Sequence, residues 1–247
     1  GQVSQGEAIG IILMDSDYPC PPGVPGNATT FSFPVRYRVV RGADMEHLVY
    51  KGDPALLDSF IEAGWELVDA GVKAITGNCG FMVLYHDLMA KEFPVPVFMS
   101  SLLQLPFISR MLKPGEKIGI ITASSKTLTE KHLQIATNGA NIPLAIAGME
   151  DQKHFYNAIH AEVGELDFDA VEAEVVQVSS VGAQGDGVEG RVDAEQPLLP
   201  LERSIPLPQD VEHLGHVVDG LVVVGAQLRG SPEVVEGAPK VAPAELP

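Results

Sequence analysis

Residues 72–81 read Val-Lys-Ala-Ile-Thr-Gly-Asn-Cys-Gly-Phe, and the fold turns on how this stretch is parsed. Val72 to Thr76 has the length and apolar content of a strand buried on both faces of a parallel sheet. Gly77-Asn78-Cys79-Gly80 is its C-terminal turn, and Phe81 to Glu92 carries the next helix. Upstream, Asp53-Pro54 is an N-cap followed by proline at the first helical position. Leu56, Leu57, Phe60, Ile61, Trp65 and Val68 then recur at helical spacing up to Gly71. Further out, Ala8 to Met14 is a continuous apolar run ending at Asp15-Ser16-Asp17, the first strand. Pro21 to Asn27 is a turn-rich loop, Val35 to Val39 alternates at period two, and Val95 to Met99 ends in Ser100-Ser101.

The pattern then starts again. Ile118-Gly119-Ile120-Ile121 repeats Ile9-Gly10-Ile11-Ile12, and both runs close in polar turns, Asp15-Ser16 in one and Thr122-Ala123-Ser124-Ser125 in the other. After Lys113-Pro114-Gly115 the second copy continues through a helix over Thr127 to Asn138 and a strand over Leu144 to Met149. The fold expected is therefore α/β, with two pseudo-symmetric Rossmann-like (flavodoxin-like) parallel-sheet domains, the second incomplete or irregular. The first domain spans 1–114 and the start of the second spans 115–178.

Beyond Phe168 the text changes. From Asp169 onward there is no aromatic residue, no Met, Cys, Asn or Thr, and Ile205 is the single isoleucine; the stretch carries 14 acidic against 4 basic residues. Glu172 to Val178 fits the end of a helix and Gly220 to Val224 a strand, whereas the prolines break the rest. Residues 179–247 thus form an acidic Val/Gly/Pro-rich segment whose character fits disorder or a shifted reading frame in the gene.

The formal net charge of −17, with no basic patch, argues against nucleic acid and anionic membrane surfaces as partners. No run reaches the roughly 18 apolar residues of a membrane helix, so the expectation is a soluble, cytoplasmic protein. The two cysteines, Cys20 and Cys79, are too few for a disulfide framework and lack zinc-site spacing. Each is a reactive thiol or an inert core residue.

Cys79 has the context for chemistry. It stands at the carboxyl end of a buried strand, before a helix, where open α/β sheets place their ligand sites. Unsatisfied amides at a helix start would stabilise its thiolate, and the flanking glycines let backbone N–H groups approach a substrate carboxylate. The alternative is a small buried hydrophobe, the usual fate of a free cysteine.

Gly77-Asn78-Cys79-Gly80-Phe81, with the first strand ending in Asp15 and the loop leading to Asn27-Ala28-Thr29-Thr30-Phe31, resembles the aspartate/glutamate/hydantoin racemase superfamily over roughly residues 8–168. The resemblance implies a cofactor-independent racemase or isomerase acting at the α-carbon of a small carboxylate-bearing substrate. Two domains would face each other across a cleft, with one cysteine from each on opposite faces of that carbon. Cys79 would be the acid/base. Asp15, Ser16, Asn78, Gly80 and Ser100 would hold the substrate or assist the thiol, and Thr122, Ser124 and Ser125 would do so from the second half. Neither metal nor cofactor is implied, and a homo-oligomer remains open.

One departure is serious. The repeat offset of 109 puts the counterpart of Cys79 at position 188, which is Val188, and no cysteine follows Cys79. Cys20 would have to move into the second role from the same domain. Two alternatives follow: an inactive or ligand-binding relative, or a one-cysteine lyase resembling arylmalonate decarboxylase. Other motifs are weaker. Gly185, Gly187 and Gly190 match G-x-G-x-x-G, but Asp186 and Glu189 would repel a pyrophosphate. His213 and His216 lack a third ligand, and His86 lies two turns beyond Cys79.

Overall fold

Apolar β-branched runs whose polar groups can be satisfied only by neighbours assemble into sheets, and here they assemble into two. The computed structural model describes residues 5–182 and 223–227, with backbone alone over 180–182 and 223–227. The first sheet contains β1 (Ile9–Leu13), β2 (Val35–Val39), β3 (Ala74–Gly77) and β4 (Val97–Phe98), all parallel, in the order β2-β1-β3-β4. From β1 the chain goes to one side for β2 and returns to the other for β3. The strand order therefore reverses between β1 and β3, and the carboxyl ends of that pair are where open α/β sheets place their ligand sites.

The second sheet contains β5 (Lys117–Thr122), β6 (Leu144–Gly148) and β7 (Val223–Gln227) in the order β6-β5-β7. The duplication is visible in the register. Ile9 pairs with Val35 and Ile118 with Leu144, so 118 − 9 and 144 − 35 both give 109. The repeat breaks at the third strand. Where β3 lies parallel to β1, β7 lies antiparallel to β5, with Ile118 opposite Ala226. The second sheet is irregular, as expected of the second half: an antiparallel edge strand on an otherwise parallel sheet satisfies the same ladder groups of β5. The strand itself falls at Val223–Gln227 rather than Gly220–Val224. Val188, the Gly185–Gly190 motif, His213 and His216 lie outside the described residues.

Between the strands run α1 (Leu57–Asp69), α2 (His86–Glu92), α3 (Leu105–Ser109), α4 (Glu130–Thr137), α5 (Lys153–Phe155) and α6 (Phe168–Gly182). Asp53 caps the α1 segment as its sequence predicts, accepting from the Ala55 amide at 2.9 Å, although Pro54–Leu56 is a 3-10 turn. The helix expected over Phe81 to Glu92 divides into a 3-10 turn over Gly80–Tyr85 and then α2. Phe81, Val83 and Tyr85 are weak helix formers, and five of the turn's six residues are buried, so packing rather than helical amphipathicity sets its path. One apolar cluster joins the two sheets, from Phe60, Leu67 and Ile75 through Phe81 and Met82 to Ile118, Ile120 and Phe155. Among the described residues no helix is long and apolar enough to cross a membrane.

Candidate active site

The carboxyl ends of β1 and β3 bring the Asp15-Ser16 turn beside the Asn78-Cys79 turn. The Asn78 amide donates to Ile12 O at 3.0 Å, extending the ladder one step, and its side-chain Oδ1 accepts from the Met14 amide at 3.0 Å. Asn78 Nδ2 donates to the Tyr18 hydroxyl at 3.3 Å. Asn78 is therefore the buried clamp that ties the two turns together. Ser100, at the end of β4, donates to Gly80 O at 2.7 Å and accepts from the Leu102 amide at 3.1 Å, which fixes the far side of the cysteine turn.

Cys79 is in extended conformation and only 3% exposed. Burial pushes its thiol pKa up to about 11, against the backbone amides of Phe81 and Met82, which lower it. The thiol of the free protein is thus neutral, and the expected lowering at a helix start is reversed. The reason is that one 3-10 turn offers two amides, while removal of water from the sulfur acts with the full desolvation cost. Tyr85, pushed to about 12 by burial with Asp53 and Cys79 contributing, donates to Asp53 O at 2.7 Å nearby.

Gly77 is required by close approach. A Cβ there would lie 2.5 Å from Met82 Sδ and 2.8 Å from Met99 O, a backbone atom of the strand end that carries Ser100. Gly77→Ala is expected to cost about 1–3 kcal/mol by overpacking, read from urea denaturation midpoints at constant m-value.

The other residues singled out have specific partners. Asp15 does not present a free carboxylate; it accepts from Arg41 Nη1 at 2.7 Å and the Gly42 amide at 2.9 Å, closing the loop after β2. Ser16 Oγ donates to Glu162 Oε1 at 2.5 Å and the Asp17 amide to Glu162 Oε2 at 3.3 Å. In the second sheet, Ser125 donates through its amide to Glu150 Oε2 at 3.1 Å and through Oγ to Glu150 Oε1 at 2.6 Å. Ser124 Oγ accepts from the Thr127 amide at 3.3 Å, and the hydroxyl of Thr122 is buried without a hydrogen-bond partner among the described residues.

Thr122, Ser124 and Ser125 make no direct hydrogen bond to the Cys79 turn among the described residues. Three bridges connect the two strand-end clusters instead. Ser16 meets Glu162; Phe81 stands edge-to-face with His132, centroids 5.3 Å apart; and His160 joins Tyr50 to the loop after β5. His160 Nε2 faces Ala123 O at 2.9 Å and must carry the proton, so Nδ1 accepts from the Tyr50 hydroxyl at 2.6 Å. Burial holds His160 below its ordinary pKa, so it is neutral near pH 7. Sequence reasoning missed Glu150, Glu162, His132 and His160, since isolated polar residues in loops and short turns leave no periodic signal. His86, the exception, is half-buried, with Nδ1 unpartnered among the described residues and its pKa lowered by burial.

Cys20 is half-buried and its thiol is also raised by burial, with a long contact of 3.7 Å from Sγ to Tyr18 O. No group of three His, Cys, Asp or Glu among the described residues is placed to hold a metal. A cavity of about 150 Å³ lined by Gln5, Gly6, Glu7, Ala8, Ala70, Gly71 and Lys73 lies at the amino ends of β1 and β3, the wrong end of the sheet for the site just described.

Curated proteins that match this chain include dimethylsulfoniopropionate lyase 3 of Emiliania huxleyi (strain CCMP1516), 31% identical over 183 residues, covering 72% of this chain and 47% of the relative. The chain is similar to dimethylsulfoniopropionate lyases. A second, dimethylsulfoniopropionate lyase 7 of the same organism, is 36% identical over 123 residues, 49% of this chain and 36% of the lyase. A third, from Durusdinium sp. clade D, is 33% identical over 132 residues, 52% of this chain and 44% of that lyase. The chain spans about half the length of the lyases it matches, or less. No family model matches. Similar solved structures include an aspartate racemase homologue from Pyrococcus horikoshii OT3, at TM-score 0.43 and 17% identity, covering 75% of this chain and 83% of that one. Glutamate racemase from Aquifex pyrophilus follows at TM-score 0.40 and 16% identity, covering 75% and 79%.

Proposed function

We propose that this chain carries the cysteine half of an active site that removes the proton α to a carboxylate, and that it does so as a lyase. One observation supports the reading most: a buried thiol, Cys79, stands in the turn after β3 that Asn78 ties to the end of β1, and in the turn after β1 Ser16 and Asp17 donate to a carboxylate, that of Glu162.

The chemistry favours elimination over racemisation. Inverting a carbon needs a proton removed from one face and another delivered to the opposite face. Elimination needs one base. With Cys20 and Cys79 the only cysteines, and no thiol at position 188, elimination is the reaction that Cys79 completes by itself.

The lyase relatives name a propionate bearing a dimethylsulfonium group. In a substrate of that class the Cys79 thiolate takes the proton from the carbon next to the carboxylate. The electrons of that C–H bond form the new C=C bond, and the C–S bond breaks with its pair leaving on sulfur. Acrylate and neutral dimethyl sulfide result, and the thiol resets by losing its proton to water. Donors at Ser16 and Asp17 offset the negative charge that builds on the carboxylate as the proton leaves. The resting thiol is neutral, and the substrate supplies the remedy, because a sulfonium beside a buried sulfur favours the thiolate.

The test is proton NMR of the full chain with dimethylsulfoniopropionate in D₂O. Vinyl signals of acrylate growing with the methyl signal of dimethyl sulfide are the expected result. Deuterium entering the α-carbon of amino acids with no acrylate formed would point to racemase chemistry instead, and neither signal to a binding protein without turnover.

A further inference from the structure

Ser16 and Ser125 are the same position in the repeat, since 125 − 16 gives the 109 that relates Ile9 to Ile118. In the structure both do the same thing. Each donates its hydroxyl to one oxygen of a glutamate while a backbone amide, Asp17 N in one copy and Ser125 N in the other, donates to the second oxygen. The strand-end turn of this fold is thus a carboxylate cradle twice over, and in both copies a side chain of the protein itself fills it.

The two occupants differ. Glu150 lies two residues beyond the end of β6, folds back over Gly148, where any Cβ would collide with its carboxylate, and sits part-buried. It is built in. Glu162 is exposed, comes from the chain after β6 and reaches across to the turn after β1. Its backbone is left-handed, φ +52°, in a place where glycine or asparagine is the usual residue. Exposed charge-assisted contacts of this kind are weak and exchange readily with solvent or a competing ligand.

We propose that Glu162 is an internal surrogate for the substrate carboxylate, occupying the Ser16–Asp17 cradle when the site is empty and leaving it when a carboxylate ligand enters. This rests on the reading of Ser16 as a substrate-binding residue and adds a competitor to it. The apparent affinity of a carboxylate ligand is lowered by the fraction of time the cradle is filled from within. Glu162→Gln removes the charge without changing shape, and Glu162→Gly removes the side chain while suiting the left-handed backbone.

The experiment titrates sodium propionate into the full chain, following the Asp17 amide by ¹⁵N-¹H NMR, in wild type, Glu162→Gln, Glu162→Gly and the Ser16→Ala/Glu162→Gln double variant. Propionate binding about tenfold tighter in both Glu162 variants, and lost in the double variant, is the expected result, tenfold corresponding to a cradle filled nine times in ten. Equal affinity in wild type and Glu162 variants, still dependent on Ser16, would overturn the surrogate and leave the Ser16 assignment standing. Binding insensitive to Ser16, or no binding in any variant, would overturn both.

Discussion

Cys79→Ser is expected to lower acrylate release by about 10²–10⁴-fold, the range that general acid–base catalysis contributes, while the fold survives. The substitution changes one buried atom. The Phe81 and Met82 amides that lie at the sulfur can donate to a hydroxyl oxygen as well, so the turn keeps its partners and stability should fall by no more than about 2 kcal/mol. What is lost is a group that can ionise. A thermal melt close to wild type beside the loss of turnover separates chemistry from folding. Cys20→Ser is the control: its thiol sits in the loop before Asn27 with one long sulfur contact, and activity should persist. Loss of turnover in Cys20→Ser with retention in Cys79→Ser would reject the assignment of the base.

The raised thiol gives the wild-type protein a signature in pH. With a pKa of about 11 in the free protein, only about one thiol in 1,000 is ionised at pH 8. Because kcat/KM reports the free enzyme, it should climb about tenfold per pH unit towards pH 11. Because kcat reports the complex, in which a sulfonium cation neighbours the sulfur, it should level off at lower pH. The sign follows from the charges: a cation stabilises a thiolate and so depresses its pKa. Parallel profiles for both constants would show that the substrate does not assist ionisation.

How far the sequence discloses this depends on whether a residue acts through periodicity or through a distant partner. β1, β5 and β6 are readable because buried strands are continuous apolar runs, β2 by its period-two alternation, and the register offset of 109 matches the repeat of Ile9–Ile12 in Ile118–Ile121. The cysteine turn is readable because glycines flank a polar pair after such a run. The state of its thiol is not, since local sequence reports the amides of Phe81 and Met82 but not the water excluded by the apolar cluster, drawn from the whole chain, in which Cys79 is buried. Asp15 shows the same limit. Its place at the end of β1 suggests a ligand-binding acid, and only the structure shows that Arg41 and Gly42 take both oxygens. Glu162 owes its position to its own left-handed backbone after α5 and the π-type turn over Tyr156–His160, which no hydrophobic period marks.

Phe81→Ala should have the largest effect on stability, about 3–5 kcal/mol in urea denaturation, and a second effect on the thiol. The Phe81 ring is 1% exposed and lies in the cluster that joins the sheets, nearly perpendicular to His132 of α4. His132 Nδ1 accepts from the Thr129 amide at 3.1 Å and its hydroxyl at 2.8 Å, and burial lowers its pKa to about 4, so the ring is neutral with the proton on Nε2. That N–H is buried and has no hydrogen-bond partner among the described residues. Truncating Phe81 leaves a cavity beside an unmet donor, a combination that admits water where an apolar void would stay dry. Water at the turn relieves the burial that raises Cys79, so the thiol pKa should fall from about 11 towards its ordinary 9.0, although the Phe81 amide is unchanged. The pH dependence of alkylation by iodoacetamide reads this directly under conditions where the variant stays folded. Phe81→Leu, which keeps most of the volume, should lose far less stability and leave the thiol where it was. A thiol pKa unmoved in Phe81→Ala would mean that packing from the first sheet alone, and not the contact between α4 and the cysteine turn, keeps water from the sulfur.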